Sequence, residues 1–554
     1  MCVLAALCLV SPGSVPARAD HRLPDMDVVD PLRFTLDDAI VERHLITARD
    51  GRTALAVDLI RPDTDEPVPT ILIQSPYYHR SGRGYRSERK CPWSTGPAFV
   101  TRPVTCEPIP EWYDEHFVPR GYAVVLQDQR GTGNSSGCPV MGGKEEITDA
   151  VDVIEWIASQ PWSNGAVGMT GGSYDGTVAT GAASLAPPAL KAIIPIRAID
   201  RWYDYQFLNG VPRANTPATP AVFTILYPLM DTQNSYGVDP LWAPRVAERK
   251  ACAGTFGPIT TAQESPTYQD ARSDFWAERD YIKEPGKIRA ATFIMHGIYD
   301  DNVLPHNASQ LWAALGDGVP KKLWWWRGRH DDPANPNMAR SFAPRFKDWT
   351  HRWFAQHLKG IDAGALAAPP VSVQNDQGTW FDALEWPPPS TDLVLHPSKD
   401  GTLSLVPPEA DGQEGGSMRF VSEPMAEDVH IAGQAYVRLR LIAFAPDADV
   451  YAEAGIGRTV AVGAARASYR AEISARGASW PSDPEPMIPG REYELTFPLM
   501  PLDEVVEAGS RIVLTITGAG HIVFGERSQF VLPVARSRKL EHLRARCTYG
   551  ADVC

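Results

Sequence analysis

A serine, an aspartate and a histidine stand far apart in this chain, each just past an apolar run. Ser173 lies in the stretch Val167-Gly-Met-Thr-Gly-Gly-Ser-Tyr-Asp-Gly176, which leads into the small residues Thr177 to Ser184. This composition fits a strand, a sharp turn and a tightly packed helix. Glycine at 171 and 176 lets strand and helix approach closely, while the serine backbone is strained and its hydroxyl stands clear of the sheet. The pattern is Gly-x-Ser-x-x-Gly, one residue off the commonest esterase form. A hydroxyl is a weak nucleophile near neutral pH. It needs a base within hydrogen-bond reach, and the base needs an acid to orient it.

The apolar run Ala291 to His296 ends in Gly297-Ile-Tyr-Asp300-Asp-Asn-Val303, and the run Lys322 to Trp326 ends in Arg327-Gly-Arg-His330. Catalytic loops gather at the carboxyl ends of α/β strands, and the order serine, acid, histidine is that of an α/β-hydrolase. Ser173, Asp300 and His330 are therefore read as nucleophile, acid and base. Asp301 is an immediate rival to Asp300. His79, His296 and His306 lie near core runs but do not follow the strand after the acid. The transition-state oxyanion needs two donors. The Tyr174 amide, directly after the nucleophile, is one by geometry. The Tyr77 hydroxyl, in the loop after the apolar run Thr70 to Gln74, is the other. Asp300, Asp301, Asp331 and Asp332 alternate in direction and lack a histidine pair, so no metal is expected, and the chemistry calls for no cofactor.

The elements that would position these groups follow from periodicity. Glu42 to Thr47 and Ala54 to Arg61 read as a β-hairpin turning at Asp50-Gly51. Thr70 to Gln74 and Gly121 to Gln127 read as strands buried on both faces. Glu145 to Gln160 carries Ile147, Val151, Ile154 and Ala158 at helical spacing. Leu190 to Ile196, Ala291 to His296 and Lys322 to Trp326 add strands, and Phe346 to His357 a helix with Trp349 and Trp353 on one face. Strand and helix in alternation predict a parallel sheet covered on both sides, an α/β-hydrolase core over residues 20–366. Within it, residues 199–286 break the alternation and are rich in aromatics and proline, which reads as a mostly helical cap. There Trp202, Tyr203 and Tyr205 could form an apolar substrate slot. Beyond 367, runs such as Val437-Arg-Leu-Arg-Leu441 and Tyr493-Glu-Leu-Thr-Phe497 have period two, predicting an all-β sandwich over 367–554.

At 554 residues the chain exceeds one ordinary core. A net charge of −14, spread without blocks, argues against a nucleic-acid partner. Residues 1–19 begin with an apolar run and end in Ala17-Arg-Ala19, which reads as a secretory signal peptide. No other stretch is long and apolar enough to span a bilayer. Six cysteines follow, an even number that suits disulfides in an exported chain. Pairing the nearest, Cys91 with Cys106 and Cys547 with Cys554, leaves Cys138 for Cys252.

The pieces together resemble the X-Pro dipeptidyl-peptidase and cocaine-esterase (CocE/NonD) family of α/β-hydrolases. The likeness runs through Ser75-Pro-Tyr-Tyr78, Gly121-Tyr-Ala-Val-Val125, Arg130-Gly131, Ala158-Ser-Gln-Pro-Trp-Ser-Asn-Gly165, Gly171 to Gly176 and Ile194-Pro-Ile-Arg-Ala-Ile-Asp-Arg-Trp-Tyr203. His296-Gly-x-x-Asp300-x-Asn-Val303 and His351-Arg-Trp-Phe354 are similar to the X-Pro peptidase branch. The resemblance implies the same triad and oxyanion donors, a C-terminal jelly roll, and a small peptide or ester as substrate. Asp301, where the peptidases often carry tryptophan, and Tyr451 to Tyr469 depart from the family pattern. The expected activity is that of a secreted serine hydrolase releasing N-terminal X-Pro dipeptides. The alternatives are a CocE-like carboxylesterase or β-lactam acylase, and a catalytically inactive carbohydrate-binding protein.

Overall fold

A strand covered on both faces must be largely apolar, and Val68–Ser75 and Ala123–Asp128, polar chiefly at their carboxyl ends, are buried at every position. They sit inside a ten-stranded sheet in the computed structural model. The structure describes residues 23–77, 112–213, 269–333 and 343–536, less short gaps at 376, 410–412, 472, 475–476, 479–483 and 519, and isolated residues between 214 and 268. The expected signal peptide, most of the cap, and Cys91, Cys106, Cys547 and Cys554 lie outside the described residues.

In chain order the strands are Ile40–Thr47 (β1), Ala54–Arg61 (β2), Val68–Ser75 (β3), Ala123–Asp128 (β4), Ser163–Gly172 (β5) and Leu190–Ile196 (β6). A small separate hairpin, Phe207–Leu208 (β7) with Val211–Pro212 (β8), precedes Ala291–Gly297 (β9), Lys321–Trp326 (β10), Val371–Gln374 (β11) and Trp380–Ala383 (β12). The sheet order is β1-β2-β4-β3-β5-β6-β9-β10-β11-β12. From β4 to β11 the neighbours run parallel, with antiparallel pairs only at the two edges. The chain leaves β3 for β4 on one side and returns to β5 on the other. This reversal opens a crevice at the carboxyl ends of β3 and β5, where open α/β sheets bind ligands.

Successive residues of a strand face opposite layers, so Ile71 joins the layer of Trp349 and Trp353 while Leu72 joins that of Ile147, Ile154 and Val178. The helices Lys144–Ser159 and Tyr174–Ser184 cover one face and Ala343–Phe354 the other. The first of these also buries Glu146 and Asp149, which the apolar spacing does not announce. Asp149 is held by Arg130 in two bonds of 2.6 Å, which ties the turn after β4 to the helix.

Thirteen further strands between Ser390 and Ala535 pair, among the described residues, into a second sheet that wraps nearly closed around its own core. Tyr436–Ile442 alternates buried and half-exposed at each step, as its period of two predicts. Two more strands of the first sheet lie past the expected boundary at 366. β11 and β12 continue the first sheet from β10, and the second sheet begins only at Ser390. Short strands at the edge of a mixed sheet carry the same alternation as strands of a sandwich, so the pattern alone does not separate them.

The two sheets are clasped by charge. Arg327, at the end of β10, donates to Glu504 Oε1 at 2.7 Å and to the Tyr299 hydroxyl at 2.8 Å; Tyr299 in turn donates to Glu504 at 2.8 Å, and Arg327 also reaches the Asp503 carbonyl. The Glu504 side chain is only 3% exposed. A disulfide joins Cys138, past β4, to Cys252.

Removing one member of a buried pair strands the other charge, which costs about 3 kcal/mol or more. Glu504→Ala should lower the urea midpoint of unfolding accordingly, read by tryptophan fluorescence. An unchanged midpoint would show that the clasp carries no weight.

Candidate active site

The crevice at the switch in strand order receives the loops that follow β3, β5, β9 and β10. At the tip of β5 the chain turns sharply into the helix Tyr174–Ser184. Ser173 takes φ 60° and ψ −121°, a conformation that side-chain-bearing residues rarely adopt. The turn is held by Ser173 N–H donating to the Ile196 carbonyl at 2.8 Å, and by Thr177 donating twice to the Ser173 carbonyl. A Cβ at Gly176 would lie 2.6 Å from the Gly171 carbonyl oxygen and 2.9 Å from the Ile196 amide. Only glycine fits there, as the sequence requires.

The structure brings Ser173, His330 and Asp300 together. His330 Nε2 lies 2.9 Å from Ser173 Oγ, and Nδ1 lies 2.7 Å from Asp300 Oδ2. The other Asp300 oxygen accepts the amides of Asn302 and Val303, each at 2.9 Å, so both oxygens of the buried carboxylate have partners and the group is fixed. The loops themselves are interlocked. Ile298 donates to the Trp326 carbonyl and Tyr299 to the Gly328 carbonyl, while Arg213 holds the carbonyls of Asp301 and Asn302. Asp301, the rival acid, points outward to Arg329. His296 stays inside β9, bonded to the Val303 carbonyl, and His306 is buried; His79 lies outside the described residues. An imidazole held in this way can take a proton from the serine on one side while the carboxylate fixes its tautomer on the other.

The Tyr174 amide is the first of its helix, among those a helix leaves without an internal partner, and it follows Ser173 directly. Its side chain is fully buried, donating to Glu146 at 3.1 Å and accepting from Gln129 at 3.3 Å. Tyr77 is half-buried in the loop past β3, its amide bonded to Ser75 Oγ. An aromatic wall starts here. Phe223 lies 6.1 Å from the Tyr77 ring and 4.6 Å from Tyr174, and Trp202 stands edge-on to Tyr174 at 5.2 Å. Of the three aromatics expected in a slot, Trp202 belongs to this wall. Tyr205 is buried beneath it at 5.8 Å from Trp202, its hydroxyl spent on Asn302. Tyr203 does not join it: its ring stacks on Phe207 and its hydroxyl goes to the Gln269 carbonyl.

Three groups beside the site were not singled out by sequence. Arg197, past β6, donates to the His330 carbonyl at 2.8 Å. Asp175, two residues after the serine, bonds Ser75, and burial pushes its carboxyl well above the usual range. Glu146 is wholly buried, and desolvation pushes it up to about 8. The available signal was a charged residue at the end of, or within, an otherwise apolar run.

The family profile described as "X-Pro dipeptidyl-peptidase (S15 family)" matches residues 50–332. A protein of Streptomyces avermitilis, provisionally named an Xaa-Pro dipeptidyl-peptidase, is 30% identical over 88% of this chain and 80% of its own length. The chain belongs to the X-Pro dipeptidyl-peptidase family. The profile of that family's C-terminal non-catalytic domain matches residues 363–524. The Xaa-Pro dipeptidyl-peptidase of Lactiplantibacillus plantarum is 31% identical over 66% of this chain and half of its own length. Among solved structures, a CocE/NonD family hydrolase from Staphylococcus aureus superposes with a TM-score of 0.68 at 20% identity, over 90% of this chain and 94% of that one. An α-amino acid ester hydrolase gives 0.65 at 18%, over 95% and 100%. Both share the α/β-hydrolase fold of this family. Among the described residues no helix is long and apolar enough to cross a membrane.

The buried Glu146 makes a pH prediction. Folded, it holds its proton up to about pH 8; unfolded, it releases it near the ordinary glutamate value of about 4.3. Its contribution is complete below the unfolded value and is lost as pH rises through the folded one. Melting temperatures of wild type and Glu146→Gln from pH 5 to 9 should therefore converge, or cross, as pH rises. A constant difference between them would sink this assignment.

Proposed function

We propose that this chain is a serine hydrolase that works through an acyl-enzyme and releases N-terminal X-Pro dipeptides. The observation that carries the reading is the imidazole of His330 standing between Ser173 Oγ and Asp300 Oδ2, at 2.9 and 2.7 Å. Ser173 Oγ attacks the carbonyl carbon of the proline residue as His330 Nε2 takes its proton. Asp300 orients the ring and stabilises the imidazolium. The negative oxygen of the tetrahedral intermediate is received by the Tyr174 amide and the Tyr77 hydroxyl. The intermediate collapses, the leaving amine takes the proton from Nε2, and the dipeptide remains esterified to Ser173. A water molecule, deprotonated by the same imidazole, then attacks the ester and restores the hydroxyl.

The wall of Tyr77, Tyr174, Trp202 and Phe223 supports the substrate class. It begins at the residue after the nucleophile and offers flat apolar surface of the kind a proline ring packs against. The family itself supports the same class. The Cys138–Cys252 disulfide supports action outside the cytosol, since such bonds persist in oxidising compartments.

Ala-Pro and Gly-Pro anilides should be turned over, and preferred to simple aryl esters. Ester turnover with no X-Pro cleavage would move the assignment to an esterase or acylase, which would use the same machinery. Ser173→Ala should reduce kcat by about 10⁴-fold or more and abolish labelling by a fluorophosphonate. Tyr77→Phe should reduce kcat by about 10²- to 10³-fold with the fold intact. Failure of the wild type to label would instead favour a binding protein.

A further inference from the structure

Arg197 is a guanidinium with no ion pair among the described residues, set beside the residue that precedes the reacting serine. It follows β6 with φ 52°, a left-handed conformation that costs a side-chain-bearing residue about 1 kcal/mol or more. Its amide is fixed to the Met295 carbonyl at 2.8 Å, and its Nη1 to the His330 carbonyl at 2.8 Å. Nη2 occupies the place that a side chain at position 172, directly before the nucleophile, would fill, and a Cβ on Gly172 would collide with it. The residue is 9% exposed, and Nε is buried with no hydrogen-bond partner. No carboxylate lies within ion-pair distance of it among the described residues. Burial raises the carboxyl of Asp175 toward its uncharged form, while the charge of Arg197 acts on it in the opposite direction. Buried guanidinium groups are nearly always paired, because an isolated charge away from water is costly.

We propose that Arg197 is a specificity-determining residue that binds a carboxylate carried by the leaving group of the substrate. The inference rests on the serine-hydrolase reading above. The side of the site follows from His330. Its Nε2 must hand a proton to the departing amine, and Arg197 is bonded to the main chain of that same residue, which is the ground for assigning it to the departing side. The edge of the guanidinium over Gly172 is the edge left for an anion, and the planar fork suits a carboxylate. Two sources share this chemistry. One is the free C-terminal carboxylate of a tripeptide X-Pro-Y, and the other is an acidic side chain on the residue after proline.

The test compares kcat/KM on Ala-Pro-Ala, Ala-Pro-Ala-amide, Ala-Pro-Glu-amide and the neutral Ala-Pro anilide, for wild type, Arg197→Gln and Arg197→Lys. Wild type should prefer at least one carboxylate-bearing peptide to Ala-Pro-Ala-amide by roughly tenfold or more. Arg197→Gln should lose that ratio whatever happens to its overall rate, and Arg197→Lys should keep part of it. A preference for Ala-Pro-Ala identifies the chain terminus as the source, and one for Ala-Pro-Glu-amide the side chain. Equal rates on all three peptides, or a preference that survives in Arg197→Gln, overturns the proposal. So does a preference that instead follows an acidic residue before proline, read with Glu-Pro and Gln-Pro anilides. If no X-Pro substrate is cleaved, the function reading fails separately. The same ratio is then read on 4-acetoxybenzoate against its methyl ester, again with and without Arg197.

Discussion

Three parallel strands must stop at the same level for one imidazole to reach two partners. In this chain the register does so. Ile196 sits opposite Gly172 on one side and Met295 on the other, and Trp326 sits opposite Gly297. The loops bearing Ser173, Asp300 and His330 therefore start from one edge of one sheet. The hydrogen bonds that fix the register are main-chain bonds in a buried, apolar environment, where no water competes for them. The separation of Ser173 from His330 is then a property of the sheet rather than of the loops, which need only be short and cross-bonded.

Around that edge the chain buries polar groups in a connected series. Gln129 reaches Tyr174, Tyr174 reaches Glu146, and Tyr281 bonds both Trp202 and the Gly142 carbonyl. Each contact fixes an element that borders the crevice: the turn after β4, the start of the helix after Ser173, and the aromatic segment after β6. Glu146 can serve here because desolvation leaves it protonated, so that it joins the network as a neutral acid. A rigid wall of rings behind the serine results, with few rotamers to freeze when a ligand arrives.

Much of the fold was legible because its strands are apolar without interruption and its helices carry Ile147 and Ile154, or Trp349 and Trp353, at helical spacing. The meeting of Ser173, Asp300 and His330 was legible because each follows such a strand. Arg197, Asp175 and Glu146 were not, since each is a charged residue whose partners lie in distant segments: His330, Ser75 and Tyr174. Periodicity reports which face is buried, but not which polar atoms meet there. The same limit explains Tyr203, which composition groups with Trp202 but whose ring turns to Phe207. It also explains β11, whose pairing with β10 is a long-range choice between two sheets that present the same alternation, and β12, which follows β11.

The Arg327 clasp limits which C-terminal parts this chain could accept. Arg327 lies three residues before His330, and its partners Glu504 and Asp503 belong to the second sheet. The C-terminal part is thus wired to the strand end that carries the imidazole. Grafting that part from a distant relative would carry over its surface yet strand the guanidinium, unless the acidic pair came with it. In this chain the residues on both sides of the seam therefore have to be exchanged together.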